Sequence, residues 1–535
     1  MATAKLTHSL RVFVRAFSGD NLTRKASLNA LTAALEYGAR LVTGFLVTPF
    51  LVSGLGDTLY GVWRTVGSLT GYVSAASGRP SQALKWTTAS LQSSADYEKK
   101  RRNVAGALVV WLLFLPLLTT LSGVLAWFAP MLIKDLPADL HGLVRLAAGL
   151  LMADMILTTL TSIPQSVLEG ENLGYRRMGM SAMLVFLGGG LAVLALYLDL
   201  GLAGVCVAEL VTTAITGLFY LTVVRSSVPW LGIARPTRQT IREFFSLSWW
   251  FLAWRVVMQL MMASDLIILG AFASIGLVTT YSLTKYAPET LINLVAIVVL
   301  GSTPGLGGII GAGDLKKAAR VRGELMLLTW LVATVIGTTI LLWNGSFVGL
   351  WVGAERYAGP RANLLILVLI AQFVVIRNDA NIIDLTLDLS RKVGLGLVSS
   401  LLSVAAAAVL VGVFHMGITG LVVGLLAGRA ILSLAYPVLI GRFLGITLLS
   451  QVKGAIRPVL VAVPLFVAAA QLDSWLSSGP ALGLTWGALA VYVALTLVVV
   501  AALAFSLGFT RDQQKRALQR ARMLLPSRSG ERPSK

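Results

Sequence analysis

The sequence predicts an all-α polytopic membrane protein with about 14 transmembrane helices, arranged as two parallel six-helix lobes around a central cavity plus two C-terminal helices. Three observations predict this fold class. Hydrophobic residues make up 56% of the 535 residues and charged residues only 13%, about half the roughly 25% that is usual in soluble domains. About 14 stretches are long and apolar enough to cross a bilayer, which takes roughly 20 residues. Two long parts of the chain also match each other at an offset of about 215 residues.

The predicted spans follow from these apolar stretches. They cover residues 28–53, 58–77, 104–130, 143–167, 178–198, 201–224, 244–272, 277–300, 325–343, 363–387, 394–414, 418–440, 458–472 and 484–507. The thirteenth, 458–472, is the shortest. The corresponding domains are a cytoplasmic N-terminal segment (1–27), an N-lobe (28–224), a cytoplasmic linker (225–243), a C-lobe (244–441), two additional spans (442–507) and a basic cytoplasmic tail (508–535).

The distribution of Lys and Arg predicts how the chain is threaded. Of the 44 basic residues, 34 lie in the two terminal segments and in the loops on their side, and 3 lie in the opposite loops. Because cytoplasmic loops favour Lys and Arg, both termini are predicted to be cytoplasmic. The net charge of +20 is therefore explained by topology, and no nucleic-acid partner is expected. The basic tail either faces anionic lipids or only anchors the orientation.

Several classes of protein are excluded by what the loops can hold. The longest external loop, 344–362, has about 19 residues, and no loop is long enough for a nucleotide-binding domain. A single cysteine, Cys206, cannot form an intramolecular disulfide, and the three histidines are far apart, so no metal site and no cofactor are expected. A membrane enzyme such as a polysaccharide polymerase or ligase would need a larger external loop. We therefore expect no catalytic residues.

The internal match predicts that the two lobes are related. Arg40 corresponds to Arg255 and Arg176 to Arg391, each at an offset of 215 residues, and the segment 95–100 corresponds to 313–317. Since each half holds six spans, an even number, the halves are parallel repeats. Transporters of that build bind their substrates near mid-membrane, between the repeats.

Basic residues inside the spans predict an anionic ligand. Four of the seven occupy the paired first, second, seventh and eighth spans, namely Arg40, Arg64, Arg255 and Lys285. A central Arg costs about 2.5–3.5 kcal/mol on insertion scales, and a guanidinium fork matches phosphate oxygens. These four residues are therefore predicted to bind a substrate diphosphate. The alternative is pairing within the protein, because Glu36 and Glu289 each lie four residues from a basic residue, on the same helix face.

Acidic residues inside the spans are candidates for ion coupling. They are Glu36, Asp154, Glu209, Asp265, Glu289, Asp379 and Asp384. Buried carboxylates can carry a proton or ligate Na⁺. The segment 377–384 is the most polar stretch in any span, and local pairing of Asp379 with Arg377 is the alternative there.

Particular sequence stretches resemble bacterial polysaccharide flippases. Residues 35–40 (LEYGAR) and 49–63 (PFLVSGLGDTLYGVW) are similar to the first two helices of the Wzx-type flippases, the polysaccharide-transporter branch of the multidrug/oligosaccharidyl-lipid/polysaccharide exporter superfamily. Residues 265–270 (DLIILG) and 313–314 are similar to its second half. The chain departs from the pattern at 77–80, where Ser-Gly-Arg-Pro replaces the usual Leu-Gly ending of the second helix.

The resemblance implies a function. Members of this branch have two six-helix lobes and flip an undecaprenyl-diphosphate-linked oligosaccharide across the bacterial inner membrane, for O-antigen, exopolysaccharide or capsule synthesis. The implied partners are this lipid-linked substrate and membrane lipids, with the polysaccharide polymerase and chain-length machinery as candidate protein partners. The alternative is an ion-coupled multidrug exporter of the same superfamily, which would favour an acidic, aromatic cavity.

Overall fold

The computed structural model describes residues 21–92, 94–177, 179–386, 389–478 and 485–515. All regular secondary structure in these ranges is helical, which confirms the predicted all-α class. The N-terminal residues 1–20 and the tail after residue 515 lie outside the described residues. The α-helices are α1 (Asn21–Ala75), α2 (Pro80–Ser90), α3 (Tyr97–Phe128), α4 (His141–Gly170), α5 (Met180–Tyr197), α6 (Gly201–Ser227), α7 (Arg238–Phe272), α8 (Ile275–Gly311), α9 (Leu315–Val352), α10 (Pro360–Thr386), α11 (Leu389–Gly412), α12 (Gly417–Leu444), α13 (Leu448–Ser478) and α14 (Trp486–Gly508).

The number of spans follows from these helices. Twelve stretches of the described residues are long and apolar enough to cross a membrane. The first of them, Leu35–Ala75, contains two predicted spans, because α1 continues across Gly56 with non-helical φ/ψ of 69° and 170°. The eighth predicted span lies in α8, which is not among the twelve. Counting Leu35–Ala75 as two spans and adding α8 gives the 14 predicted spans.

Two elements differ from the prediction. Residues 79–102 were expected to form a loop, but Pro80–Ser90 form a helix, since a proline at the first helical position is compatible with helix geometry. The thirteenth span is not short: α13 has 31 residues and includes Pro458 and Pro464. The predicted span began only at Pro458, but neighbouring helices and side chains can satisfy the backbone groups that a proline frees in a membrane helix.

The second half of α1 runs antiparallel to α7. The Gln259 side-chain amide donates to the Ser68 carbonyl at 3.3 Å, and a Cβ built on Gly270 would lie 3.2 Å from the Thr65 side chain. Residue numbers therefore rise along α7 as those of its partners fall along α1. This pairing sets the position of each polar residue on one helix relative to those on the other.

Matched aspartates begin corresponding helices. Asp96 accepts a hydrogen bond from the Lys99 backbone N–H at 2.9 Å, and Asp314 accepts one from that of Lys317 at 3.0 Å. The two caps have similar backbone angles, with φ/ψ of −73°/76° and −82°/71°. An Asp at this position satisfies an N–H group that the helix itself leaves unpaired. The corresponding segments 95–100 and 313–317 thus have the same local structure.

Contacts divide the chain into two compact units, Met1–Thr279 and Thr280–Lys535. Within the second unit, α11 and α12 pack closely through small residues: a Cβ on Gly424 or Gly428 would lie 2.4 or 2.3 Å from backbone atoms of α11. Close approach through small residues is a common way for membrane helices to associate. The predicted lobe boundary at 225–243, which depends on the internal repeat, stays a prediction.

Candidate functional site

Two arginines in helices of the first unit have no carboxylate partner among the described residues. Arg64 lies on α1 and Arg255 on α7, and both side chains are half-buried. The Nε atom of each is buried without a hydrogen-bond partner. Asp265 lies 10 residues beyond Arg255 on the same helix, about 15 Å along its axis. These two guanidinium groups therefore retain hydrogen-bonding capacity for a ligand.

A third arginine, Arg79, lies in the corner between α1 and α2. The residue is half-buried and has a left-handed backbone, with φ 45° and ψ 52°. Burial lowers the pKa of its guanidinium, and the nearby charge of Arg255 lowers it further. The predicted span boundaries place Arg79 in a loop. The signal that could have found it is the departure from the family pattern at 77–80.

The other two predicted diphosphate-binding residues have acidic neighbours on their own helices. Arg40 Nη2 lies 2.9 Å from Glu36 Oε1, and the Arg40 side chain is 64% exposed. Lys285, in the second unit, has its Nζ 3.5 Å from Glu289 Oε1 and 5.7 Å from the centroid of the Tyr281 ring. Both pairs have the i, i+4 geometry that the pairing alternative requires.

The polar segment of α10 forms pairs with residues on the neighbouring helices α9 and α11. Asp379 Oδ1 accepts hydrogen bonds from Nη2 and Nε of Arg322 on α9, at 2.8 and 3.2 Å. The expected alternative, local pairing of Asp379 with Arg377, is wrong about the partner. Asp384 Oδ1 lies 2.6 Å from Nζ of the buried Lys392. The predicted span boundaries place Arg322 and Lys392 in loops, whereas the structure buries both side chains.

Asp265, another candidate for ion coupling, is buried on α7. Its side chain is held locally, because Oδ1 accepts a hydrogen bond from the Leu266 backbone N–H at 2.9 Å. The residue is 5% exposed.

Two further acids of the first unit lie on adjoining helices. Glu209 on α6 accepts a hydrogen bond from the Trp63 indole N–H at 3.0 Å, and Asp154 on the adjoining α4 has a buried Oδ1 without a hydrogen-bond partner. No described lysine or arginine forms an ion pair with either acid, so the pair is a candidate for binding a proton.

A buried polar cluster joins three segments near the start of α3. Lys100 Nζ lies 3.0 Å from Glu171 Oε1 and 5.3 Å from the centroid of the Trp230 ring. The Trp230 indole donates to the same Glu171 oxygen at 2.9 Å. The Lys100 side chain is only 3% exposed, so this cation, predicted to lie in a loop, stabilises the packing of helix ends.

Known proteins were compared with the chain at three levels. No protein-family model and no curated protein sequence matches it significantly. Solved structures do match. An inward-facing multidrug resistance MATE family transporter of the MOP superfamily has a TM-score of 0.62 and 14% identity, over 77% of this chain and 98% of its own. A MATE in the bent conformation has a TM-score of 0.54 and 16% identity, over 83% and 99%. A MOP superfamily transporter from Pyrococcus furiosus, described as having a binding pocket of reverse polarity, has a TM-score of 0.53 and 15% identity, over 81% and 98%.

The chain has the fold of the MOP-superfamily transporters. It is therefore a multi-pass membrane protein, as its apolar helices indicate. At 14–16% identity the likeness shows the MOP fold alone, because one fold can serve several functions. The substrate has to be inferred from the side chains that this chain places on that fold.

Proposed function

We propose that this protein is a flippase that moves an undecaprenyl-diphosphate-linked oligosaccharide across the bacterial inner membrane. The observation that carries the proposal is the presence of Arg64 and Arg255 in membrane helices without a carboxylate partner among the described residues. An unpaired buried charge is costly. An anionic ligand would offset that cost, and phosphate oxygens match the guanidinium fork.

In the proposed mechanism, the contacts between the arginines and the diphosphate group supply most of the binding energy. Arg64 and Arg255 lie on antiparallel helices, α1 and α7, whose contact fixes them at different depths. The diphosphate group would bind to these two cations, while the polyprenyl chain stays in the bilayer. Affinity has to remain moderate, because a substrate that is held too tightly would not be released on the other side.

A second candidate function is multidrug export. Two of the structural neighbours are described as multidrug resistance transporters, and the acids Asp154 and Glu209 could attract a cationic drug. The unpaired arginines of the same unit argue against this reading, since they would repel a cation. We therefore favour the anionic substrate.

The test measures binding of undecaprenyl diphosphate to the purified full chain in nanodiscs. Arg255→Ala and Arg64→Ala should each weaken binding roughly tenfold to hundredfold, because a hydrogen bond to a charged group contributes about 1.5–3 kcal/mol. Arg145→Ala is the matched control: Arg145 is also a helix arginine, but it donates to the Trp127 carbonyl at 3.2 Å and lies over the Trp127 ring.

Two results would contradict the proposal. One is wild-type protein that does not bind undecaprenyl diphosphate. The other is efflux of a lipophilic cation such as ethidium from proteoliposomes, abolished by Glu209→Gln and unaffected by Arg255→Ala, which would favour multidrug export.

A further inference from the structure

The corner between α1 and α2 holds an arginine in a conformation that suits glycine. Arg79 has φ 45° and ψ 52°, in the left-handed region that residues with a Cβ disfavour. The following residue is Pro80, which restricts the backbone of position 79 further. Glycine would adopt this backbone freely. Strained residues of this kind cluster at functional sites, where the surrounding structure maintains them.

Packing fixes the position of this corner. A Cβ on Gly78 would lie 2.6 Å from the Phe114 ring of α3. Phe114 in turn stacks on Phe245 of α7, with ring centroids 5.7 Å apart and planes at 17°. The backbone from which the Arg79 side chain starts therefore packs against α3, and the Phe114 ring that it contacts packs in turn against α7.

Arg255 lies on α7 between Gln259, which contacts α1, and Phe245, whose ring stacks on Phe114 beside the corner. It precedes Gln259 by one helical turn, and Gln259 bonds to the Ser68 carbonyl on α1. Because α7 runs antiparallel to α1, that turn brings Arg255 toward the end of α1 and the corner that follows. The electrostatic effect of Arg255 on Arg79 agrees with this placement. No described carboxylate forms an ion pair with either residue.

We propose that Arg79 and Arg255 form one anion-binding site that takes the diphosphate group of the lipid-linked substrate. The identity of the ligand rests on the proposed function, whereas the pairing of the two arginines rests on the geometry of the corner. Two adjacent guanidinium groups repel each other until an anion lies between them. They offer two forks, and a diphosphate has two phosphoryl groups to accept them.

The orientation of the chain gives the site a place in transport. The distribution of Lys and Arg predicts that the α1–α2 corner is cytoplasmic, which is the side on which a lipid-linked oligosaccharide is supplied. The site would therefore receive the substrate, and Arg64, further along α1 in the direction of Gly56, would meet it later.

The test separates the side chain from the backbone at position 79. Arg79→Gly removes the guanidinium and also relieves the strain, so it should weaken binding of undecaprenyl diphosphate roughly tenfold to hundredfold while the melting temperature stays equal or rises. Arg79→Lys keeps the charge without the fork and should lose less. Lys85→Ala is the matched control, because Lys85 lies on α2 but is paired with Glu169 at 2.8 Å.

The purified full chain in zwitterionic nanodiscs is titrated with undecaprenyl diphosphate and, separately, with inorganic pyrophosphate. Weaker binding of both probes by Arg79→Gly supports the site. If wild type and Arg255→Ala differ but Arg79→Gly binds like wild type, the inference is wrong and the proposed function stands. If wild type binds neither probe, the proposed function itself fails. Displacement of both probes by phosphatidylglycerol added to the nanodiscs would overturn the inference in favour of a site for phospholipid headgroups.

Discussion

The buried pair of Arg322 and Asp379 gives the sharpest test of whether a membrane acid serves structure or ion coupling. Both residues are almost inaccessible, at 6% and 1% exposure, and both hydrogen bonds converge on one carboxylate oxygen. Asp379→Asn would leave the guanidinium buried without a counter-charge. Breaking such a pair costs about 3–5 kcal/mol, and we expect the free energy of unfolding to fall by that amount.

The assay is chemical unfolding of the purified protein in mixed micelles, together with the proposed activity, export of a lipid-linked glycan in cells. The double variant Arg322→Met with Asp379→Asn removes the buried charge and should recover most of the lost stability. Glu169→Gln is the matched control, because its partner Lys85 is 41% exposed and exposed pairs contribute about 0–1 kcal/mol.

The two roles predict different outcomes. If the pair is structural, stability and export fall together and return together in the double variant. If Asp379 is an ion-coupling residue, export stays lost in the double variant even though stability returns. A loss in Asp379→Asn of less than about 1 kcal/mol would refute the reasoning from burial.

Three further predictions concern pairing, packing and topology. If Arg40 only neutralises Glu36, replacing both with alanine should restore the export that Arg40→Ala loses; if Arg40 binds substrate, export stays lost, and complementation in cells distinguishes the two. Gly428→Ala should lower the free energy of unfolding by about 1–3 kcal/mol, as overpacking does, because its Cβ would lie 2.3 Å from the α11 backbone; an unchanged unfolding curve would contradict the close contact. Cysteine introduced at Ala138 should react with an impermeant reagent outside intact cells, whereas cysteine at Ser94 should not, and the reverse pattern would invert the predicted orientation.

Local features of this protein could be predicted from its sequence because their causes are local. Apolar length identifies the spans, and i, i+4 spacing identified the Arg40–Glu36 and Lys285–Glu289 neighbours that the structure contains. The distant pairs could not be predicted in this way. Arg322 and Asp379 are 57 residues apart, and no periodicity relates residues that meet only after helices pack.

Charge counting also misjudged depth. Lys100, Arg322 and Lys392 lie in predicted loops, yet all three are buried within the first two or three turns of a helix. The count still predicted an orientation, because a buried cation at a helix end lies on the same side as its loop. Arg79 could not be selected from the sequence for another reason. What distinguishes it is a left-handed backbone conformation, which hydropathy does not report.

The contacts of α13 and α14 with α9 and with the loop after it have a consequence for how the chain is made. The Trp343 indole on α9 donates to Thr496 on α14, 153 residues later, and the Tyr357 hydroxyl donates to Asp473 on α13, 116 residues later. During synthesis the C-terminal end of α9 and the loop after it are made long before these partners leave the ribosome. Until then their polar groups must find temporary partners in the insertion machinery or among the helices already made. A chain truncated after α12 would keep that end of α9 exposed to lipid, and we expect cellular quality control to degrade it.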